Sequence, residues 1–145
     1  MGIDPRGPRF GALITTAVLI AVLITSSAWL LAAQAAIFAI GAIFGLRCAP
    51  YGLIYRYLVR PRLAPPGELE AEAPPRFAQG VGLVFAVIGV IGYAKGVTGL
   101  GIAATALALI AAFLNGAFGI CLGCEMYLLI RRIAAGKQGL DAGQS

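Results

Sequence analysis

The chain has 145 residues, of which 60% are hydrophobic and only 12% charged, with a net charge of +5 and no histidine. This balance fits an integral membrane protein and leaves no stretch polar enough for a separate soluble domain. Without histidine, an imidazole-ligated haem, a Ser/His/Asp triad and a histidine proton relay are excluded within the chain, and no Gly-rich phosphate loop or paired-carboxylate site stands in a suitable context.

Arg6 and Arg9 precede a charge-free run from Phe10 to Leu46. Its start mimics a signal peptide, but the run continues without a charge and lacks a small-residue cleavage site, so it is expected to be retained. As one helix of 37 residues it would be roughly 55 Å long, far more than a ~30 Å hydrocarbon core accepts. A hairpin is predicted instead, with spans at about 10–25 and 28–46. Thr25-Ser26-Ser27 supplies the turn, its hydroxyls capping backbone groups, and Trp29 anchors the outer interface.

A central loop follows over 47–76. Tyr51 to Arg60 mixes aromatic, aliphatic and basic residues, as in a short helix lying at the headgroup level. Beyond Pro61, the prolines Pro65-Pro66 and Pro74-Pro75 and the acids Glu68, Glu70 and Glu72 predict a rigid, extended excursion, either a solvated connector or a docking site for a cytoplasmic partner. A third span is predicted over 77–95, with a turn at Gly96-Val97-Thr98-Gly99-Leu100-Gly101. The fourth is predicted over 102–130, followed by a flexible tail at 134–145.

Ten of the eleven positive residues then fall on one side, and only Lys95 on the other. The positive-inside rule places both termini and the central loop in the cytoplasm; a three-span alternative puts Arg6 and Arg9 outside and ranks second. The expectation is an all-α integral membrane protein: one membrane domain over 1–145, four transmembrane helices in an antiparallel bundle, in a bacterial inner membrane. The positive charge reflects that topology and is no sign of a nucleic-acid partner.

Three cysteines carry most of the chemical information. Cys121 and Cys124 are three apart, close enough on a helix for a modest adjustment to join them, although the predicted span sets them toward a helix C-terminus, away from the end whose dipole lowers a thiol pKa. Cys48 follows Arg47 at the cytoplasmic end of span two, so topology alone puts three sulfurs near one membrane face. Four readings compete: packing as small hydrophobes, thiol–disulfide or sulfur-transfer chemistry, a metal site lacking a fourth ligand unless Glu125 or a second protomer serves, and lipidation of Cys48. No metal and no resident cofactor is expected.

Polar residues within the spans are Gln34, Gln79 and Asn115, read either as interhelical hydrogen-bonding groups or as the lining of a substrate path. Glu125 adjoins Cys124 and is expected to pair with a basic residue of its own helix or of the central loop, or to accept a thiol proton. Gly116, Gly119 and Gly123 form a small-residue stripe suited to close helix approach.

The runs Cys48-Ala49-Pro50-Tyr51-Gly52-Leu53-Ile54-Tyr55-Arg56, Val59-Arg60-Pro61-Arg62-Leu63 and Pro74-Pro75-Arg76-Phe77-Ala78-Gln79, with the block Leu114-Asn115-Gly116-Ala117-Phe118-Gly119-Ile120-Cys121-Leu122-Gly123-Cys124-Glu125-Met126-Tyr127, resemble a family of small bacterial membrane proteins known as domain of unknown function 4395. In layout the chain is similar to the four-helix DoxX-like membrane proteins, a likeness that implies sulfur and thiol redox metabolism.

The expected function is membrane thiol–disulfide redox or sulfur handling. Cys121 and Cys124 cycle between dithiol and disulfide or persulfide, Cys48 is the auxiliary thiol, Arg47, Arg56 or Arg131 stabilises the thiolate, and Glu125 and Asn115 orient the site. The electron partner is a cytoplasmic thioredoxin-like or sulfurtransferase protein, or membrane quinone. The alternatives are a small-solute transporter or channel-like homo-oligomer with Gln34, Gln79 and Asn115 on its path, and a structural or assembly subunit docked through residues 61–76.

Overall fold

The computed structural model describes residues 2–3, 6–45, 49–62, 70–71 and 73–144. Among these residues six α-helices follow in order: α1 (Arg6–Thr25), α2 (Ala28–Ile43), α3 (Pro50–Ile54), α4 (Ala73–Ala94), α5 (Thr98–Phe118) and α6 (Leu122–Gln144). Helix α3 runs on through a wide π turn at Tyr55–Val59 and a 3-10 turn at Arg60–Arg62. Among the described residues the fold is helical apart from a two-residue antiparallel pairing of β1 (Gly2–Ile3) with β2 (Glu70–Ala71), which ties the start of the chain to the central loop and was not foreseen. The predicted excursion lies outside the described residues at Pro65-Pro66, Glu68 and Glu72.

The first hairpin turns where the hydroxyl cluster predicts. Ser27 caps α2, its side-chain oxygen accepting the Leu30 N–H at 3.1 Å, while Ser26 takes a left-handed conformation at φ 52°. Thr25 donates to the Ala21 carbonyl at 2.7 Å. Trp29 stands almost fully exposed in the first turn of α2.

Helices α1, α4 and α5 are long and apolar enough to cross a membrane; α2, at 16 residues, is apolar but shorter. Among their exposed side chains are Leu13, Ile20, Val84, Ile91, Leu107 and Phe113, as expected of helices in contact with lipid rather than water. Inside, Leu19, Val22, Leu31, Phe38, Ala86 and Ala108 form one core. The main interfaces are α2 on α4, α1 on α5 and α4 on α5.

Two spans end earlier than the sequence suggests, and the second difference moves the cysteines. Helix α2 stops at Ile43, where the Arg76 guanidinium donates to the carbonyls of Ala42 at 3.0 Å and Ile43 at 2.8 Å. The expected 102–130 span is two helices. Gly119 adopts φ 72°, a left-handed cap that ends α5, and the Gly119 and Ile120 N–H groups return to the carbonyls of Asn115 and Leu114. After this break α6 starts at Leu122 and continues to Gln144, so the tail expected to be flexible is helical over most of its length.

Candidate functional site: a disulfide on the wall of a cavity between the helices

The break at Gly119 sets Cys121 one residue before α6 and Cys124 in its first turn. The pair therefore sits at a helix N-terminus, the reverse of the predicted placement, because one glycine divides what reads in sequence as a single apolar run. Cys121 and Cys124 are joined in a disulfide with Cα atoms 5.1 Å apart. The Cys124 N–H points at Cys121 Sγ across 3.2 Å, and the Glu125 N–H donates to the Cys121 carbonyl at 2.9 Å. Cys121 thus caps α6 with sulfur where serine or aspartate would ordinarily supply oxygen. The partial positive charge of that helix end favours a thiolate there whenever the bond is reduced.

What holds the pair in place is close contact with the neighbouring helices. Gly123, between the cysteines, lies against α4 so tightly that a methyl added there would meet Ala78 Cβ at 2.5 Å. One turn on, Tyr127 packs against Phe77 with ring centroids 5.7 Å apart. The three glycines read as one stripe have three separate duties: Gly116 receives Leu13 of α1, Gly119 turns the chain, and Gly123 receives α4.

Cys121 lines a cavity of about 590 Å³ enclosed by all the long helices together with α3. Gln79, Asn115 and Arg56, all singled out from the sequence, line it too. Gln34 does not reach the cavity wall but braces it. Its buried amide accepts a 2.7 Å hydrogen bond from the Tyr51 hydroxyl through Oε1 and donates to Thr15 Oγ1 at 3.5 Å through Nε2; Tyr51 and Thr15 are both lining residues. Burial pushes the Tyr51 phenol above its ordinary value of 10.0, so it is a stable donor to Gln34.

Other expected participants stand apart. Arg131 is exposed and donates to the Tyr127 hydroxyl at 3.1 Å, its guanidinium over that ring. Glu125 is exposed in the first turn of α6 and forms no ion pair with Arg131, Arg132 or any other described residue. Arg47 and Cys48 lie outside the described residues.

Sequence reasoning missed Tyr51, Tyr55, Arg60 and Arg9. Tyr51 and Tyr55, four apart, rest on Gly11 and Gly7 of α1, also four apart, with nearest approaches of 3.5 and 3.4 Å to an added methyl. Matching i, i+4 pairs of aromatic and small residues are a signal the sequence carried. Helix α3 and the turn that follows it therefore dock on α1 and line the cavity. Arg9, read only as a topology charge, reaches the Gly116 carbonyl at 3.5 Å and lies against Gly119, two residues before Cys121.

Residues 3–132 match the family described as domain of unknown function (DUF4395). The chain belongs to that family. The match runs from Ile3 of β1 to the middle of α6, so the disulfide, its glycine break and the cavity all fall within the DUF4395 region. No curated protein and no solved structure matches the chain.

Proposed function

We propose that this DUF4395 protein is a membrane thiol–disulfide redox protein whose working centre is Cys121–Cys124. The observation that carries the reading is the placement of a bonded Cys-x-x-Cys pair at the N-terminus of α6 with one sulfur, that of Cys121, on a cavity wall. A packing role for the cysteines calls for neither feature. Four helices, α1, α2, α4 and α5, cross a bacterial plasma membrane as an antiparallel bundle with both termini on the cytoplasmic side. The α5–α6 junction and the arginines 9, 56, 60 and 76 face that side, in keeping with the positive-inside rule.

In the proposed cycle a partner thiolate attacks one sulfur of the disulfide and displaces the other; a second partner thiol then resolves the mixed disulfide. Two partner thiols become one disulfide, and Cys121 and Cys124 each leave as a thiol, so two electrons and two protons enter the protein. In reverse, Cys121 is the nucleophile, favoured as thiolate by the α6 N-terminus, and Cys124 resolves. A thioredoxin-like or sulfurtransferase protein is the fitting cytoplasmic partner, since its thiol presents the same chemistry.

The reading is tested on native membranes quenched in acid and alkylated with a mass tag before and after reduction. The expected result is a Cys121–Cys124 disulfide that opens on adding reductant and returns with oxidant. Thiols that stay reduced and unreactive in opened membranes would assign the pair to packing and defeat the proposal.

A further inference from the structure

The cavity lining changes in polarity along the helices, and the gradient says more than the cysteines alone. Its upper wall holds Cys121, with Asn115 from the last turns of α5 and Gln79 from the early turns of α4. Its floor is formed by Phe38, Phe85, Leu107 and Ala108, each from near the middle of its helix. From Leu107 to the end of α5 at Phe118 is roughly 17 Å of helix, so the space runs from the disulfide to about mid-span. Thr15, the polar side chain at floor level, already accepts from Gln34. The exchange of thiols with a soluble protein needs no apolar shaft of this depth. A ligand with a polar, hydrogen-bond-accepting head and a hydrocarbon tail would fill it, and its volume lies within the range of small-molecule sites.

We propose that the cavity binds a lipophilic quinone, head beside Cys121 and tail toward the floor, as the two-electron acceptor for the reduced pair. The proposal rests on the redox reading of Cys121 and Cys124. Cys121 thiolate adds to the quinone ring, forming a C–S bond and placing negative charge on the ring oxygens. Cys124 thiolate then attacks Cys121 Sγ; the S–S bond forms, the C–S bond breaks, and its electron pair stays with the ring. The two thiol protons end on the ring oxygens, so dithiol and quinone become disulfide and quinol. Gln79 and Asn115 line the cavity with amide donors suited to hold those oxygens as charge develops.

The test uses the full chain, purified in detergent and reduced, mixed with decylubiquinone or with the same head group lacking its tail, and followed by quinone absorbance and thiol count. One quinone reduced per two thiols lost is expected, with the tailed quinone at least about tenfold faster, since the floor rewards only the tail. In Ala111→Phe, which fills the shaft, that preference for the tailed quinone should collapse. Equal rates for the two quinones in the unsubstituted protein, or a dithiol that is oxidised by the soluble disulfide dithiodipyridine but not by decylubiquinone, would overturn the cavity proposal and leave the redox reading standing. A dithiol that reacts with none of the three would remove the redox reading itself.

Discussion

Gln34 shows how a single polar residue in an apolar helix fixes a site it does not enter. It is 1% exposed, and its amide is satisfied on one side by Tyr51 and on the other by Thr15. Tyr51→Phe leaves the Gln34 oxygen buried without that donor, which costs about 1–3 kcal/mol. Thermal unfolding in detergent should show the loss, and Gln34→Leu in the same background should recover part of it by removing the stranded acceptor. The phenol also gives a pH dependence. Its pKa is raised in the folded protein, so its contribution is full below the ordinary value of 10.0 and is lost as pH rises through the higher folded value. Unfolding curves of the unsubstituted protein should therefore fall away above that pH more steeply than those of Tyr51→Phe. Identical alkaline limbs for the two proteins would show that the phenol is not buried as described.

At the scale of the elements, the length of the apolar runs and the placement of charges made the long helices legible, and the hydroxyl cluster at Thr25-Ser26-Ser27 marked the first turn. Gln79, Asn115, Cys121 and Arg56 were named from residue type alone, and the fold brings all four to one cavity. The division of the 102–130 run was not legible, because apolarity continues through Ile120 and a glycine within an apolar run reads equally well as a surface for close contact. Only the backbone reveals that Gly119 is left-handed. An L side chain in that conformation costs about 1–2 kcal/mol, more for a β-branched one. Gly119→Val should therefore destabilise the protein by about that amount or draw α5 onward as helix, carrying Cys121 away from the N-terminal cap of α6. The reduced protein reports the difference through the pH dependence of alkylation at Cys121, whose midpoint should rise once the α6 dipole no longer favours its thiolate. An unchanged midpoint together with unchanged stability would mean that Gly119 is not what sets the junction.

For the whole molecule, the decisive question is whether α2 spans. Its 16 residues measure roughly 24 Å, short of a ~30 Å core, yet its last two carbonyls are taken by Arg76, a charge suited to the headgroup level. A mismatch of a few ångströms costs only fractions of a kcal/mol per ångström and is relieved by local thinning, so the shortness of α2 does not argue against a fourth span. The arginine contacts bear on the same point. Arg9 joins the start of α1 to the end of α5, and Arg76 joins the start of α4 to the end of α2, so four helix ends and their charges gather at one level. The turns at Ser26-Ser27 and at Lys95–Val97 then belong together at the opposite level. With the native cysteines replaced by serine, Ser26→Cys and Gly96→Cys should react with a membrane-impermeant maleimide in intact cells, while Arg60→Cys and Arg132→Cys should react only after the membrane is opened. Labelling of the Ser26 and Gly96 positions from opposite faces would break the four-span topology, because α2 could not then return the chain to the side on which α4 begins.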